Sequence, residues 1–242
     1  MLWRNVPSRE SLRSELMQES SMGFTNEKVT EFISSYYRPL DEKIGKFRDY
    51  NESDGVPLIL RETESFLSLL LDILRPRNIL EIGTAYGYSA LFFARKLPDA
   101  RVTTIDRNPY MIPEAERAFA EWEEGRRIDF RQGDAIEVLD GLIAESASGE
   151  FRPFDFVFID AGKSHYREFL DRALTLSCSG AVIVCDNILM HGWTVDRSYE
   201  GSRRHRTNVK YMRQFIEYIS GRDDLTVSLL SSGDGLAVIR RK

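Results

Sequence analysis

Residues 79–89 read Ile-Leu-Glu-Ile-Gly-Thr-Ala-Tyr-Gly-Tyr-Ser. A short apolar run of strand type, residues 78–82, leads into a loop containing Gly83 and Gly87, and a helical pattern follows at 88–97. A strand, a glycine turn and a helix form the first half of a nucleotide-binding βαβ unit. Glycine lets the backbone approach a ligand closely, and the helix N-terminus offers free N–H groups. A plain strand-to-helix turn is the alternative interpretation.

The spacing of the two glycines discriminates between ligands. Gly83 and Gly87 form a Gly-x-x-x-Gly pattern, whereas dinucleotide-binding turns have Gly-x-Gly-x-x-Gly. The departure disfavours a pyrophosphate and favours S-adenosylmethionine, which carries no phosphate. We therefore expect an adenosyl ligand at this turn.

The composition predicts one soluble domain. The chain has 242 residues, of which 42% are hydrophobic and 29% charged, and its net charge of −5 argues against indiscriminate binding of nucleic acid. We expect a single domain over 1–242, with an N-terminal helical cap at 1–55 and a catalytic core at 56–242. Two cysteines and three histidines without metal-type spacing do not predict a zinc site. With no signal pattern and no run of membrane-span length, a cytoplasmic protein without a membrane partner is expected.

Strand and helix patterns alternate along the core. Helical patterns occupy 8–50, with Ser8 and Asn26 as N-caps, a loop follows at 51–57, and a buried helix is expected at 61–74. The predicted strands are 78–82, 101–106, 127–132, 154–160, 181–186, 226–230 and 236–240. The helices between them are 88–97, 110–124, 135–145, 165–176 and 204–220. This predicts an α/β fold with a seven-stranded, mostly parallel, Rossmann-like sheet and a C-terminal antiparallel hairpin, the layout of S-adenosylmethionine-dependent methyltransferases.

Acidic residues follow the ends of the second and third strands. Asp106 is expected to accept hydrogen bonds from ribose hydroxyls, and the carboxylate or backbone of Asp134, in Gly-Asp-Ala, is expected to hydrogen-bond the adenine edge. For either acid alone, a helix N-cap or a solvated loop is the alternative. Suitable residues at three successive strand ends favour an adenosyl ligand.

Asp160 ends the fourth strand, and Asp186 and Asn187 end the fifth. If these strands are neighbours, their ends lie about 5 Å apart. Two carboxylates and an amide oxygen repel one another unless a cation lies among them, and hard oxygen ligands suit Mg²⁺, or Mn²⁺ or Ca²⁺. An aspartate that caps the next helix is the alternative.

Lys163 follows Asp160 by three residues. Beside a divalent cation and partly desolvated, its pKa is expected to fall, so that it acts as a base; a surface lysine is the alternative. Methyl transfer from a sulfonium needs an oxygen nucleophile, and a hydroxyl next to Mg²⁺ loses its proton more easily. A substrate with two adjacent oxygens would chelate the ion.

Four segments together resemble the cation-dependent (family 3) O-methyltransferases, which include the catechol and caffeoyl-CoA enzymes. They are Glu-Ile-Gly-Thr-Ala-Tyr-Gly-Tyr-Ser at 81–89, Phe-Ile-Asp-Ala-Gly-Lys at 158–163, Asp-Asn-Ile-Leu at 186–189 and Gly-Asp-Gly-Leu at 233–236. The resemblance implies catalytic roles for Asp160 and Lys163, a metal at Asp160, Asp186 and Asn187, and a homodimer. It also implies cofactor contacts at Val56, Glu81, Gly83, Thr84, Ser89, Asp106, Ala135 and Asp160. Asp106 stands where many members have Glu, and Gly162 and Met190 replace an alanine and a bulky, often aromatic, residue.

Within this family the chain is most similar to bacterial tRNA 5-hydroxyuridine methyltransferases, through Phe-Ile-Ser-Ser-Tyr-Tyr-Arg-Pro-Leu at 32–40 and a basic segment around Arg203. The 5-hydroxyl and neighbouring carbonyl of that base form an adjacent oxygen pair. Arg203, Arg204 and Arg206 are then expected to hold phosphates of the tRNA anticodon loop. The solvated face of a helix is the alternative for these arginines. A catechol-like small molecule, phenolic or an acyl-CoA thioester, is the alternative substrate.

Overall fold

A computed structural model describes residues 27–147, 149, 151–195 and 205–242. The predicted caps at Ser8 and Asn26, and the start of the N-terminal helical pattern, lie outside these residues. Seven strands form one sheet in the order β3-β2-β1-β4-β5-β7-β6. The predicted seven-stranded α/β fold is confirmed.

The strands are β1 Asn78–Ile82, β2 Arg101–Asp106, β3 Ile128–Gln132, β4 Phe154–Ile159, β5 Ser177–Asp186, β6 Leu225–Leu230 and β7 Leu236–Arg241. The described α-helices are α1 Glu27–Ser35, α2 Glu42–Ser53, α3 Arg61–Leu74, α4 Tyr88–Lys96, α5 Ile112–Glu121, α6 Ala135–Ser146, α7 Tyr166–Leu176 and α8 Arg206–Ser220.

Strands β1 to β5 are parallel, and β7 pairs antiparallel with both β5 and β6. The chain runs outward from β1 through β2 to β3, then returns to place β4 on the other side of β1. Ile82 is level with Ile105 on one side and with Ile159 on the other. The carboxyl ends of these strands therefore open together at the point where the strand order reverses, which is where open α/β sheets bind ligands.

Apolar side chains alternate between the two faces of the sheet. Leu80 and Ile82 face a buried cluster that includes residues of α6, α7 and α8, whereas Ile79 faces a cluster with residues of α3 and α4. Burial on both faces explains why β1, β4 and β5 are almost continuously apolar in sequence.

Three elements have a boundary that differs from the prediction by more than two residues. Helix α2 continues through Ser53, where a loop was expected from 51, because buried Asn51 donates to the Phe47 carbonyl 2.7 Å away within the helix. The helix expected at 110–124 ends at Glu121 and a 3₁₀ turn, Glu123–Arg127, follows. A Cβ at Gly125 would lie 1.8 Å from the Phe119 carbonyl oxygen, so the chain folds back tightly there. Strand β5 begins at Ser177, four residues earlier than expected.

Within the described residues, no helix is long and apolar enough to cross a membrane. The cytoplasmic location and the boundary between cap and core stay predictions.

Candidate active site

The loop after β1 requires glycine at two positions. Gly83 has φ +108°, and a Cβ there would lie 2.0 Å from the carbonyl oxygen of Asp160. Gly87, the N-cap of α4, has φ +84°, and a Cβ there would meet the Phe119 ring at 2.5 Å. Both glycines therefore let backbone pack closely beside the switch point.

Asp106 holds this loop in place. Its Oδ2 accepts hydrogen bonds from the backbone N–H groups of Thr84 (3.0 Å) and Ala85 (2.8 Å), and its Oδ1 accepts from Asn108 N–H (2.8 Å). Ala85 has a φ of 46°, which is unfavourable for a residue with a Cβ. The carboxylate therefore stabilises a strained loop, and its contact with ribose stays a prediction.

Glu81 lies behind the loop. Its side chain is fully buried and accepts a hydrogen bond from Thr104 Oγ1 at 2.5 Å. Burial raises the pKa of Glu81 to about 8, although the hydroxyls of Ser89 and Thr104 act in the opposite direction. The predicted cofactor contact of this residue stays a prediction.

The Asp134 carboxylate caps α6. It accepts from Ile136 N–H (2.9 Å) and forms an ion pair with Arg107 (2.6 Å). The helix-cap alternative thus describes the carboxylate well, and its contact with adenine stays a prediction.

A cavity of about 900 Å³ opens over the strand ends. Its walls include nearly all the predicted cofactor residues, namely Val56, Gly83, Thr84, Ser89, Asp106, Asp134, Ala135 and Asp160. Lys163 and Asn187 line the same cavity. The volume is in the range of small-molecule and cofactor sites.

Lys163 lies at the centre of a polar cluster in this cavity. Its Nζ is 2.8 Å from Asp160 Oδ1, 2.7 Å from Asn187 Oδ1 and 2.8 Å from the Tyr166 hydroxyl. Tyr166 donates to the Asp186 carbonyl (2.8 Å). The parallel pairing of β4 with β5, with Ile159 level with Cys185, brings these groups together.

The pKa of Lys163 shifts in the direction opposite to the one expected from the sequence. Burial by itself lowers the pKa of Lys163, but the charge of Asp160 and the contact with Tyr166 outweigh it, so the pKa is raised. The expected lowering assumed a divalent cation beside the lysine; with a carboxylate as the neighbour the shift has the opposite sign. Asp186 is 1% exposed, and burial together with the charge of Asp160 raises its pKa to about 8.

The cluster has the donor chemistry for a hard divalent cation. One ammonium nitrogen lies within 2.8 Å of oxygens from Asp160 and Asn187, so both oxygens already converge on a positive charge. Asp186 is buried, and its Oδ1 accepts from the Asn187 backbone N–H at 2.6 Å, but Asp186 is not among the residues that line the cavity. In the described part of the chain, no group of three or more His, Cys, Asp or Glu side chains is arranged to hold a metal. A site here therefore depends on the amide oxygen of Asn187, and Mg²⁺ fits such a set.

Of the three predicted phosphate-binding arginines, only Arg206 is described; Arg203 and Arg204 lie outside the described residues. Arg206 is exposed at the start of α8. Two features of this cavity were not predicted from the sequence. Asp234 accepts from His191 N–H (2.6 Å), and Trp193 and His205 form part of the wall. Asp234 lies within the Gly-Asp-Gly-Leu segment at 233–236, which was the available signal in the sequence.

The chain belongs to the O-methyltransferase family, family 3, whose sequence model matches residues 35–242. It is therefore an S-adenosylmethionine-dependent O-methyltransferase of the caffeoyl-CoA and catechol type.

Individual relatives and a solved structure are also O-methyltransferases. The chain is 33% identical over 186 residues to a catechol O-methyltransferase of Niastella koreensis. The aligned region covers 74% of this chain and 82% of the relative. A caffeoyl-CoA O-methyltransferase of Petroselinum crispum is also 33% identical over 186 residues, 73% of each chain. The solved O-methyltransferase of Bacillus cereus in complex with SAH superposes with a TM-score of 0.75 and 29% identity, over 89% of this chain and 97% of that one.

Proposed function

We propose that this enzyme transfers the methyl group of S-adenosylmethionine to one of two adjacent oxygens on a catechol-like small molecule, with Mg²⁺ as cofactor. The observation that carries the proposal is the Lys163 nitrogen between Asp160 and Asn187, in the same cavity as the glycine loop. The proposed methyl-donor site and the proposed cation ligands Asp160 and Asn187 would thus share one cavity.

Different residues of the cavity would bind the methyl donor and the cation. Gly83, Thr84 and Asp106 would hold the adenosyl group, and Asp160, Asp186 and Asn187 would hold Mg²⁺. When bound, Mg²⁺ supplies positive charge among these oxygens and lowers the pKa of a neighbouring hydroxyl.

Lys163 would then accept the proton that the acceptor hydroxyl loses. As an ammonium, Lys163 donates hydrogen bonds to Asp160 and Asn187 and cannot accept a proton. It would take the proton of the acceptor hydroxyl only as the neutral amine, after it has passed one of its own protons to solvent. Its three hydrogen bonds fix Nζ in the cavity, and such positioning reduces the entropy cost of reaching the in-line geometry.

The test is methylation of 3,4-dihydroxybenzoate by the purified enzyme, followed by mass spectrometry. We expect activity with Mg²⁺, loss in EDTA and recovery when Mg²⁺ is restored. Asp160→Asn should lose activity, whereas Asp99→Asn should retain it because the Asp99 side chain is 80% exposed and remote from the cavity. Full activity of Asp160→Asn in EDTA would contradict the proposal.

The 5-hydroxyl of 5-hydroxyuridine at the tRNA wobble position is a second candidate acceptor. Two exposed basic residues on α8, Arg206 and Lys210, support it. Affinity for tRNA that falls with salt and is weakened in Arg206→Ala would favour RNA. Rapid methylation of catechols with no modification of tRNA would exclude it. In vivo, mass spectrometry of tRNA from cells lacking the protein should show loss of methylation at wobble uridines if tRNA is the substrate.

We also propose a homodimer. Apolar side chains are exposed on the adjacent helices α1 and α3: Phe32 on α1, Tyr36 in the turn after it, and Leu69 and Ile73 on α3 are each more than 60% exposed. Such a face favours burial against a partner. Light scattering after size exclusion should give twice the 27.9 kDa chain mass, and a monomer at micromolar concentration would contradict it.

A further inference from the structure

Tyr86 belongs to the glycine loop between β1 and α4, yet its side chain is not part of the cavity wall. Gly83, Thr84 and Ala85 line the cavity, whereas Tyr86 lines a separate crevice of about 420 Å³ between α2 and α5. The Tyr86 side chain is 7% exposed, but it belongs to neither of the two apolar clusters that the described residues form on the sheet. Packing in the apolar core therefore does not explain a buried tyrosine at this position.

The hydroxyl of Tyr86 forms a hydrogen bond outside the loop. It donates to Oδ2 of Asp54 at 2.7 Å, across 32 positions of the chain. Burial and this bond raise the pKa of Tyr86 to about 12, so the hydroxyl stays protonated and remains the donor at neutral pH. A hydrogen bond to a carboxylate is stronger than one between neutral groups, so this Tyr86–Asp54 link constrains both segments.

Asp54 belongs to the segment that forms another wall of the cavity. It is the C-cap of α2, and two residues later Val56 lines the cavity. The N–H of Val56 donates to the carbonyl of Asn51 at 3.0 Å, and Asn51 is fully buried in the last turns of α2. The Tyr86–Asp54 link therefore connects two walls of one cavity, namely the glycine loop and the Val56 segment.

We propose that Tyr86 is a positioning residue for the methyl donor, because its bond to Asp54 fixes the glycine loop relative to Val56 before S-adenosylmethionine binds. The inference rests on the proposed function for the placement of the donor beside these two walls. A site whose walls are already fixed loses less conformational entropy when its ligand binds, so its affinity is higher. Tyr86 acts only through the walls, since it is not among the described residues that line the cavity.

The first test is binding of S-adenosylmethionine, measured by calorimetry without an acceptor. Tyr86→Phe keeps the ring and removes the hydroxyl, and we expect Kd for the donor to rise by about fivefold or more. Asp54→Ala removes the other partner and should raise Kd by at least as much. The double variant should bind no more weakly than Asp54→Ala alone, because both substitutions remove the same hydrogen bond.

Tyr50→Phe is the matched control for loss of a hydroxyl. The Tyr50 hydroxyl lies in the same crevice and accepts from Arg117 at 2.9 Å, and Tyr50 is 42% exposed. This variant should bind the donor like wild type. An unchanged Kd in Tyr86→Phe, or the same weakening by Tyr86→Phe in the wild-type and Asp54→Ala backgrounds, would overturn the proposal.

A second measurement separates positioning from a general loss of stability. Tyr86→Phe should raise KM for S-adenosylmethionine, while kcat at saturating donor changes by less than about twofold, because the bound donor itself then holds the walls. Asp54→Asn retains an oxygen that accepts from the Tyr86 hydroxyl, so it should keep Kd within about twofold of wild type. A lower melting temperature of Tyr86→Phe with wild-type Kd and KM would show a structural role only.

These outcomes are distinguishable from failure of the proposed function. If Tyr86→Phe weakens donor binding but the wild-type enzyme methylates no catechol, the Tyr86–Asp54 link stands and the assigned acceptor is wrong. If the wild-type enzyme methylates 3,4-dihydroxybenzoate and the donor Kd is the same in every variant, the reaction stands and the positioning role is wrong.

Discussion

The Nζ atom of Lys163 lies 2.7 Å from Oδ1 of Asn187, although the two residues belong to loops after different strands. Asn187 adopts a left-handed backbone, with φ 57°, at the end of β5. Lys163 follows β4 and Asn187 follows β5. The two residues come into contact because these adjacent strands are parallel and end at the same edge of the sheet. The contact joins the predicted base to a predicted metal ligand.

Removal of the lysine tests its part in the reaction. Lys163→Met should lower kcat by a factor of about 10² to 10⁴, the usual contribution of a positioned acid or base. Binding of S-adenosylmethionine, measured by calorimetry, should change little. Lys46→Met is the matched control, because Lys46 is 75% exposed on α2. A Lys163→Met enzyme with wild-type kcat would show that this amine takes no part.

Glu81 makes the stability of the ligand-free enzyme depend on pH. Its pKa is raised from 4.5 to about 8 by burial, so the folded state favours the neutral carboxyl. The stabilisation is complete below pH 4.5 and is lost as pH rises towards 8, at up to about 1.4 kcal/mol per pH unit.

Glu81→Gln removes this dependence. The melting temperature of the variant relative to wild type should rise between pH 5.5 and pH 8, measured in EDTA without cofactor. Glu121→Gln, at an exposed position of α5, should show no such trend. A difference between Glu81→Gln and wild type that stays constant with pH would refute a protonated Glu81.

Substitution by alanine is expected to have opposite effects on stability at Gly83 and at Gly141. Gly83→Ala places a Cβ 2.0 Å from the Asp160 carbonyl oxygen at a positive φ, so we expect a lower melting temperature and S-adenosylmethionine binding weakened by at least about tenfold. A Cβ at Gly141, within α6, has no atom within 4 Å. Gly141→Ala should therefore stabilise the protein by about 0.5–1 kcal/mol. Similar melting shifts for the two variants would mean that the loop backbone adapts.

A buried ion pair supports the cavity wall from below. Glu64, 2% exposed, lies 3.4 Å from Arg48 and accepts hydrogen bonds from the hydroxyls of Tyr37 and Tyr88, both at 2.7 Å. Arg48 in turn donates to the Ile59 carbonyl at 2.6 Å, next to the Val56 segment of the cavity.

Glu64→Ala leaves the guanidinium buried without its partner, so we expect a loss of about 3–5 kcal/mol in the free energy of unfolding by urea titration. Glu42→Ala, which breaks the exposed pair with Lys46, should cause no measurable change. If both variants unfold at the same urea concentration as wild type, the pair does not stabilise the fold.

The sequence by itself determined the sheet and predicted the residues of the candidate site. Continuous apolar runs fix β1, β4 and β5 because both faces of a parallel sheet are covered, and the observed strands start and end within a residue of the prediction except at the start of β5. The acids at the strand ends were found for the same reason, since an abrupt change from apolar to polar marks the point where a buried strand reaches the ligand crevice.

Only the tertiary structure decided what each polar group does. Asp106 and Asp134 are equivalent in sequence, yet one organises the glycine loop and the other caps a helix, because backbone N–H groups from different segments surround them. The charge state of Lys163 depends on an oxygen of Asp160 at 2.8 Å. Tyr86 connects two walls of the cavity only because Asp54, from an earlier segment of the chain, lies 2.7 Å from its hydroxyl. Hydrogen bonding and electrostatic shifts act through space over a few ångströms, and sequence spacing does not specify those distances.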